Sequence, residues 1–343
     1  MSRPREILSA GRSGLGVCAV AVMLGCALPQ PFDSTQNGAQ PSTAAPAILA
    51  GRGGSWMAAG TRRKDLVYAS AGDSVLVYDY ATEEQVGKLA YFTSAHGSCT
   101  DGNGDVFVTN FNAADVLEFA HGGTKPIRTL VDPSAYPVDC SVDPVTGNLA
   151  VVNEYGKTEY TQGNVAIYVG GKGKPKLYKY SGFTYFIAGG YDGHGDLVVS
   201  GYQSRSVPFA FAYLPLGGHS LAAMSLPVSY NWYGPPYIRW DGQYLVVGFR
   251  DEFDGLIFVP YAIQGSSGTQ KGSTPVTLGD ADSGPFWIGR TGSAPLNRNA
   301  ANSLAVAIVD DGVYFWNYPS GNLVYQLDQD SWGTGVTASP GQH

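Results

Sequence analysis

The sequence predicts an all-β fold, a six-bladed β-propeller of four-stranded antiparallel blades spanning residues 54–343. Three observations predict it. The 343 residues include 46 Gly and are 12% aromatic but only 14% charged, against a usual charge of roughly 25% and Gly of roughly 7%. A turn followed by an apolar strand recurs six times. No stretch keeps a helical apolar period over the length a helix needs. The same numbers exclude other classes. The 22 Tyr, 14 Phe and 6 Trp argue against disorder. With 21 Lys+Arg against 28 Asp+Glu, the chain lacks the basic excess of a nucleic-acid binder.

In chain order, the first element is a targeting segment over residues 1–25. Arg3, Arg5 and Arg12 precede an apolar run from Leu15 to Gly25, too short to span a bilayer but suited to a signal peptide. The run ends in Met23-Leu24-Gly25-Cys26, which resembles the bacterial lipobox and marks Cys26 for lipidation; Met23 departs from the usual Leu. Residues 26–53, rich in Pro, Ala, Gln, Ser and Thr, read as a flexible tether. Losing residues 1–25 would remove three Arg and one Glu and leave the remainder more acidic than the whole chain's −7. The expectation is therefore a monomer in the bacterial cell envelope, exported and held to the membrane by its lipid alone, without nucleic-acid partners.

The repeats come next. Residues 101–110 (DGNGDVFVTN) match 143–153, 192–200 and 241–247, with weaker copies at 64–70 and 302–308. Each is a tight Asp/Gly turn and then an apolar or alternating strand. A further strand follows each copy, at 75–80, 116–119, 165–168, 209–213, 256–261 and 313–318. Another follows at 86–90, 126–131, 175–180, 221–226, 275–278 and 323–327. Short Gly-containing strands precede the turns at 97–101, 138–143, 187–192, 237–241 and 287–291. Four-stranded units at this spacing suit a propeller, in which each blade buries its faces against its neighbours. Two segments, 55–60 and 335–340, compete to close the ring. The C-terminal one is favoured because it joins the chain ends and removes an open edge.

Strands ending Val-Thr-Asn110 or Val-Val-Asn153, then Val-x-x-Phe/Tyr, then Pro-x-x-x-Leu, resemble NHL- and YVTN-type propeller repeats. The blade number is similar to that of the gluconolactonase-like superfamily. The lipobox, tether and segments 119–127, 140–149 and 164–168 resemble bacterial lipoproteins of this kind. The resemblance specifies architecture and leaves function open, because propellers host many activities. Gluconolactonase-like enzymes gather Glu, Asn and Asp around an axial metal. On that likeness Asn110, Asn153 and Glu154 would be the ligands of a divalent metal, and the chain a metal-dependent hydrolase or lactonase.

The residues themselves favour a non-catalytic protein without a cofactor. Asp101-Gly-Asn103-Gly-Asp105 opens like a calcium loop, but Val106 and Asn112 stand where an EF-hand needs Gly and Glu. The turn also recurs with its ligand oxygens lost, which points to Asx-turn geometry, His194 included. Cys99 and Cys140 hold equivalent places in neighbouring first strands and are expected to be two buried thiols, since such positions usually lie beyond disulfide reach. No nucleophile elbow, zinc motif or phosphate loop appears.

The loops carry more information. Antiparallel alternation puts the connections between blades, and those between each blade's second and third strands, on one face. That face collects His96, Phe111, Tyr136, Glu154, Tyr155, Tyr160, Phe183, Tyr185, Tyr202, Arg205, Tyr230, Trp232, Tyr233, Arg250, Glu252, Phe253 and Trp287. Aromatics with a few Arg and Glu are what binding surfaces collect. The expected ligand-binding residues are Tyr155, Tyr185, Arg205, Trp232, Tyr233, Arg250 and Trp287, and the expected partner is an envelope protein, peptide or glycan.

Overall fold

The structure, a computed structural model, describes residues 54–132, 135–158, 161–203, 209–227, 236–250, 255–277, 283–289, 303–309, 312–328 and 333–342. Its described strands form six antiparallel sheets, mostly of four strands, arranged as a β-propeller. The innermost strands are Ala95–Thr100, Ala135–Val142, Tyr185–Tyr191, Tyr237–Trp240, Ser283–Gly289 and Gly333–Ser339. Each lies against the next, and the last returns to the first, so the six form a closed cycle. Gly333–Ser339 completes the first sheet by pairing antiparallel with Leu66–Ala71. The competing segment adds Trp56–Met57 to the outer edge of that sheet. The fifth sheet also departs from the repeat: both Ser267–Gln270 and Thr274–Thr277 pair with the long strand Gly255–Gln264.

Both faces of each sheet are covered, which explains second strands that read as continuous apolar runs. In Leu149–Gly156, Ala150 and Val152 pack toward the fourth sheet, while Leu149 and Val151 pack toward the second. Six apolar clusters among the described residues fill the six spaces between neighbouring sheets. In the second to fifth sheets the turns between first and second strands are Asx turns. Asp101 Oδ1 accepts the amides of Asn103 and Asp105, and Asp192 Oδ1 those of His194 and Asp196. Gly104 and Gly195 supply the positive φ that these turns require, at 85° and 83°.

The inner edges, which no ladder satisfies, are closed by side chains. Ser70 Oγ donates to His96 O at 2.6 Å and Ser200 Oγ to Pro236 O at 2.8 Å, each from a neighbouring sheet. Small residues let the inner strands converge. A Cβ at Gly97 would lie 2.5 Å from Asp139 Cα, and one at Gly335 would lie 2.1 Å from His96 O.

That convergence corrects the expectation of two free thiols. Cys99 and Cys140 are disulfide-bonded, with Cα atoms 5.7 Å apart, because Gly97 brings the two strands within bonding range two residues away. With a sequence separation of 41, chain entropy gives such a bond about 2–4 kcal/mol of stability. Urea unfolding of the Cys99→Ser/Cys140→Ser variant is expected to show a loss of that size. An unchanged midpoint would mean the bond contributes nothing.

Candidate functional site

One face carries a continuous ladder of rings, and its construction follows from the strand pattern. His96, Tyr136 and Tyr185 lie at the entrances of three innermost strands. Phe111, Tyr155 and Tyr202 lie at or just beyond the exits of the adjoining second strands. Antiparallel pairing puts entrances and exits on the same side. The ring centroids of His96 and Phe111 are 4.7 Å apart and those of Phe111 and Tyr136 4.8 Å, both pairs stacked. Tyr136 and Tyr155 follow at 5.1 Å, Tyr155 and Tyr185 at 6.0 Å, Tyr185 and Tyr202 at 5.0 Å, and Tyr202 and Phe209 at 5.2 Å. Phe111 and Tyr155 are buried beneath, while His96, Tyr136, Tyr185 and Tyr202 are half-buried. The Lys157 ammonium stands 5.7 Å from the Tyr136 centroid, within cation–π range.

Burial pushes the His96 imidazole down to about 4, so the ring that stacks on Phe111 is neutral at pH 7. His121, buried between Ser339 and the Lys64 carbonyl, is lowered by burial too. A histidine depressed in the folded state binds its proton more readily when unfolded. Its contribution is therefore present above about pH 6.5 and is lost as pH falls toward 4. The melting temperature is expected to drop over that window, and to drop less in His96→Gln. A profile identical in the two proteins would show that His96 is solvated.

Near the axis, beside the ladder, sits an ion pair. Arg239 of the fifth sheet reaches across the fourth to Asp139 of the third. Its Nη1 donates to Oδ2 at 3.0 Å and its Nη2 to Oδ1 at 2.7 Å. The Gly189 amide also donates to Asp139 Oδ2, at 3.1 Å. Both side chains are buried. Tyr237 beside them is raised well above its ordinary range, first by burial and then by the charges of Asp139 and Glu154.

The expected binding residues fare unevenly. Tyr155 and Tyr185 are rungs of the ladder. Trp287 is not a face residue: it is partly buried and packs against the cluster between the sixth and first sheets, because its strand is innermost and turns that side chain into the interface. Arg250 ends the strand Leu245–Arg250. Arg205, Trp232 and Tyr233 lie outside the described residues, as does Cys26. Phe183, another residue read onto the face, is instead core.

Of the metal set that the gluconolactonase likeness implies, the two Asn side chains hold protein groups. Asn110 Oδ1 accepts the Thr93 and Ser94 amides and the Thr93 hydroxyl, so its ligand atom is committed to the turn. Asn153 Nδ2 donates to Asp132 and Asn164; its Oδ1 is the one atom of the pair left over. Among the described residues no three His, Cys, Asp or Glu side chains converge as a metal-binding group.

A concave space of about 690 Å³ on the other face was not anticipated. Trp240, Tyr244, Lys271 and Tyr318 line it, between the fifth and sixth sheets. Its carboxylate is already occupied: Asp241 Oδ1 holds the Gln243 and Tyr244 amides, and Oδ2 accepts the Tyr318 hydroxyl at 3.1 Å.

Ring and ladder together define the chain as a β-propeller with an aromatic face. Among solved structures, it is similar to a chain from the crystal structure of a nidogen/laminin complex, with a TM-score of 0.58 and 11% identity over 82% of this chain and 100% of that one. It is also similar to the β-propeller domain of Cps50 (Swd1) from Myceliophteria thermophila, with a TM-score of 0.48 and 10% identity over 81% and 87%. At 11% identity the first likeness speaks for the fold alone. No protein-family model and no curated protein matches the sequence.

Proposed function

We propose that the chain is a six-bladed propeller with NHL/YVTN-type repeats, exported to the bacterial envelope, lipidated at Cys26 and joined to its anchor by the tether of residues 26–53. Its role is binding: the aromatic face takes up an envelope protein, peptide or glycan. The observation that supports this is the ring ladder, which runs over three adjoining sheets with four of its members half-exposed. Half-exposed rings offer large, rigid contact area at small entropic cost. A chain of the same fold was solved in a complex of nidogen with laminin, and a protein partner is the corresponding expectation here.

The test compares the wild-type chain with Tyr136→Ala/Tyr185→Ala, both immobilised and exposed to envelope extract and to a glycan panel. Retention of the bound species is expected to fall at least tenfold, as for truncation of anchor aromatics, with a cooperative melt retained. Equal retention would overturn the assignment of this face. A melt raised by Ca²⁺ or Zn²⁺ in the wild type and not in Glu154→Ala would instead favour the metal-dependent hydrolase.

A further inference from the structure

The chain is acidic overall, yet its positive charge is not evenly spread. Residues 160–191 contain no Asp or Glu and four Lys, all within 172–179. The fold places these on the outer rim of the third sheet. Lys172 and Lys174 lie in the turn after Gln162–Tyr168, Lys176 begins the outer strand Lys176–Tyr178, and Lys179 follows it. All four are exposed, and none enters an ion pair among the described residues. Two acids that neighbour this rim, Asp143 and Glu118, are buried and already engaged. Asp143 holds the Val145 amide and the Thr146 hydroxyl, and Glu118 pairs with Arg128.

Apolar side chains stand exposed among the lysines. Val169 is 70% exposed, Val145 55% and Leu177 46%. These are one patch, not scattered residues. The Gly170 amide donates to Asn148 Oδ1, tying the turn that carries Val169 to the one that carries Val145. Arg128 Nη1 donates to Gly171 O, bringing the second sheet's outer strand, with Ile127 exposed, against the same turn.

We infer that this rim docks on an anionic lipid bilayer, with the lysines at the headgroups and Val169, Val145 and Leu177 entering the interface. The pairing of unneutralised lysines with exposed aliphatics fits that occupant. A purely polyanionic partner would use the charges and leave the aliphatics in water. The net negative charge does not oppose it: at physiological salt, charges beyond about 8 Å are screened, and Asp143 and Glu118 are already engaged. Such a contact would add to the hold of a lipid on Cys26, although the docking itself does not depend on Cys26 being lipidated.

The test uses the full chain with Cys26→Ser, to exclude acylation, and measures flotation with phosphatidylglycerol/phosphatidylcholine vesicles and with pure phosphatidylcholine. Binding is expected with the first and not the second, and is expected to weaken in high salt. Each Lys→Gln change at 172, 174, 176 and 179 is expected to lower the partition coefficient about fivefold. Val169→Asp is expected to lower it further, with circular dichroism melts unchanged. Equal flotation of wild type and the fourfold Lys→Gln variant would overturn the inference, because binding would then come from elsewhere, the basic residues 1–25 included. Retention on heparin without flotation would also overturn it, in favour of a polyanion.

Discussion

A chain ending at Asp328 is expected to lose its cooperative melt. The missing strand Gly333–Ser339 supplies the inner edge of the first sheet, with six paired positions from Leu66↔Ser339 to Ala71↔Gly333. Its Val336 and Ala338 are buried with Val67, Ala69, Val313 and Phe315 between the sixth and first sheets. On its other side it lies against Ala95–Thr100, where Thr100 Oγ1 donates to Ala338 O at 3.1 Å and His121 Nδ1 meets Ser339 Oγ at 2.6 Å. Removing it opens two interfaces and leaves a long apolar strand edge unpaired. The loss is comparable with the whole stability of a domain, about 5–15 kcal/mol. Calorimetry should show a broad transition or none, and gel filtration should show oligomers. A truncated monomer melting within about 5 °C of the full chain would mean the ring is held closed by other contacts. Gly335→Val tests the same seam with one residue, since even a Cβ there would meet the His96 and Gly97 backbone within 2.8 Å.

The strand pattern was legible because the physics that makes it is local. Asp-Gly turns and period-2 or fully apolar strands can be read within ten residues, and the second strands Val106–Asn110, Leu197–Tyr202 and Leu245–Arg250 appear where the repeats put them. The aromatic face was legible for a related reason: once strands alternate, chain order decides which ends share a side, and Tyr155, Tyr185 and Tyr202 fall together. What could not be read depends on convergence at the axis. Cys99 and Cys140 bond because Gly97 admits Asp139 so closely, and nothing within either strand signals that approach. Chain order alone puts Trp287 on the face, but direction along an innermost strand is set by the neighbouring sheet. Asn110 and Asn153 could be placed at strand ends; how their amides divide between turn and ligand depends on partners such as Thr93 and Asp132.

Asp139→Ala is the second large effect, and its partner is the least visible feature of the sequence: Arg239 lies 100 positions away. The substitution leaves a guanidinium buried without its carboxylate, which costs about 3–5 kcal/mol, a melting-temperature drop of about 6–15 °C for a domain of this size. Arg239→Met leaves the opposite charge; Asp139 keeps the Gly189 amide at 3.1 Å as Arg239 keeps the Ile238 carbonyl at 2.8 Å, so a loss of similar size is expected. The double variant Asp139→Leu/Arg239→Met removes both charges together and is expected to recover most of the stability, because desolvating two ions offsets much of their attraction. What it does not recover is the Gly189 hydrogen bond, about 1 kcal/mol. Loss below 1 kcal/mol in Asp139→Ala would show that water reaches the axis and screens the pair. The pair ties the third sheet to the fifth across the fourth, the same three sheets that flank and carry the upper half of the ring ladder. A loosened pair should therefore also blunt retention on the aromatic face while the Tyr136 and Tyr185 side chains are intact, and the double variant should restore retention only as far as it restores the melt.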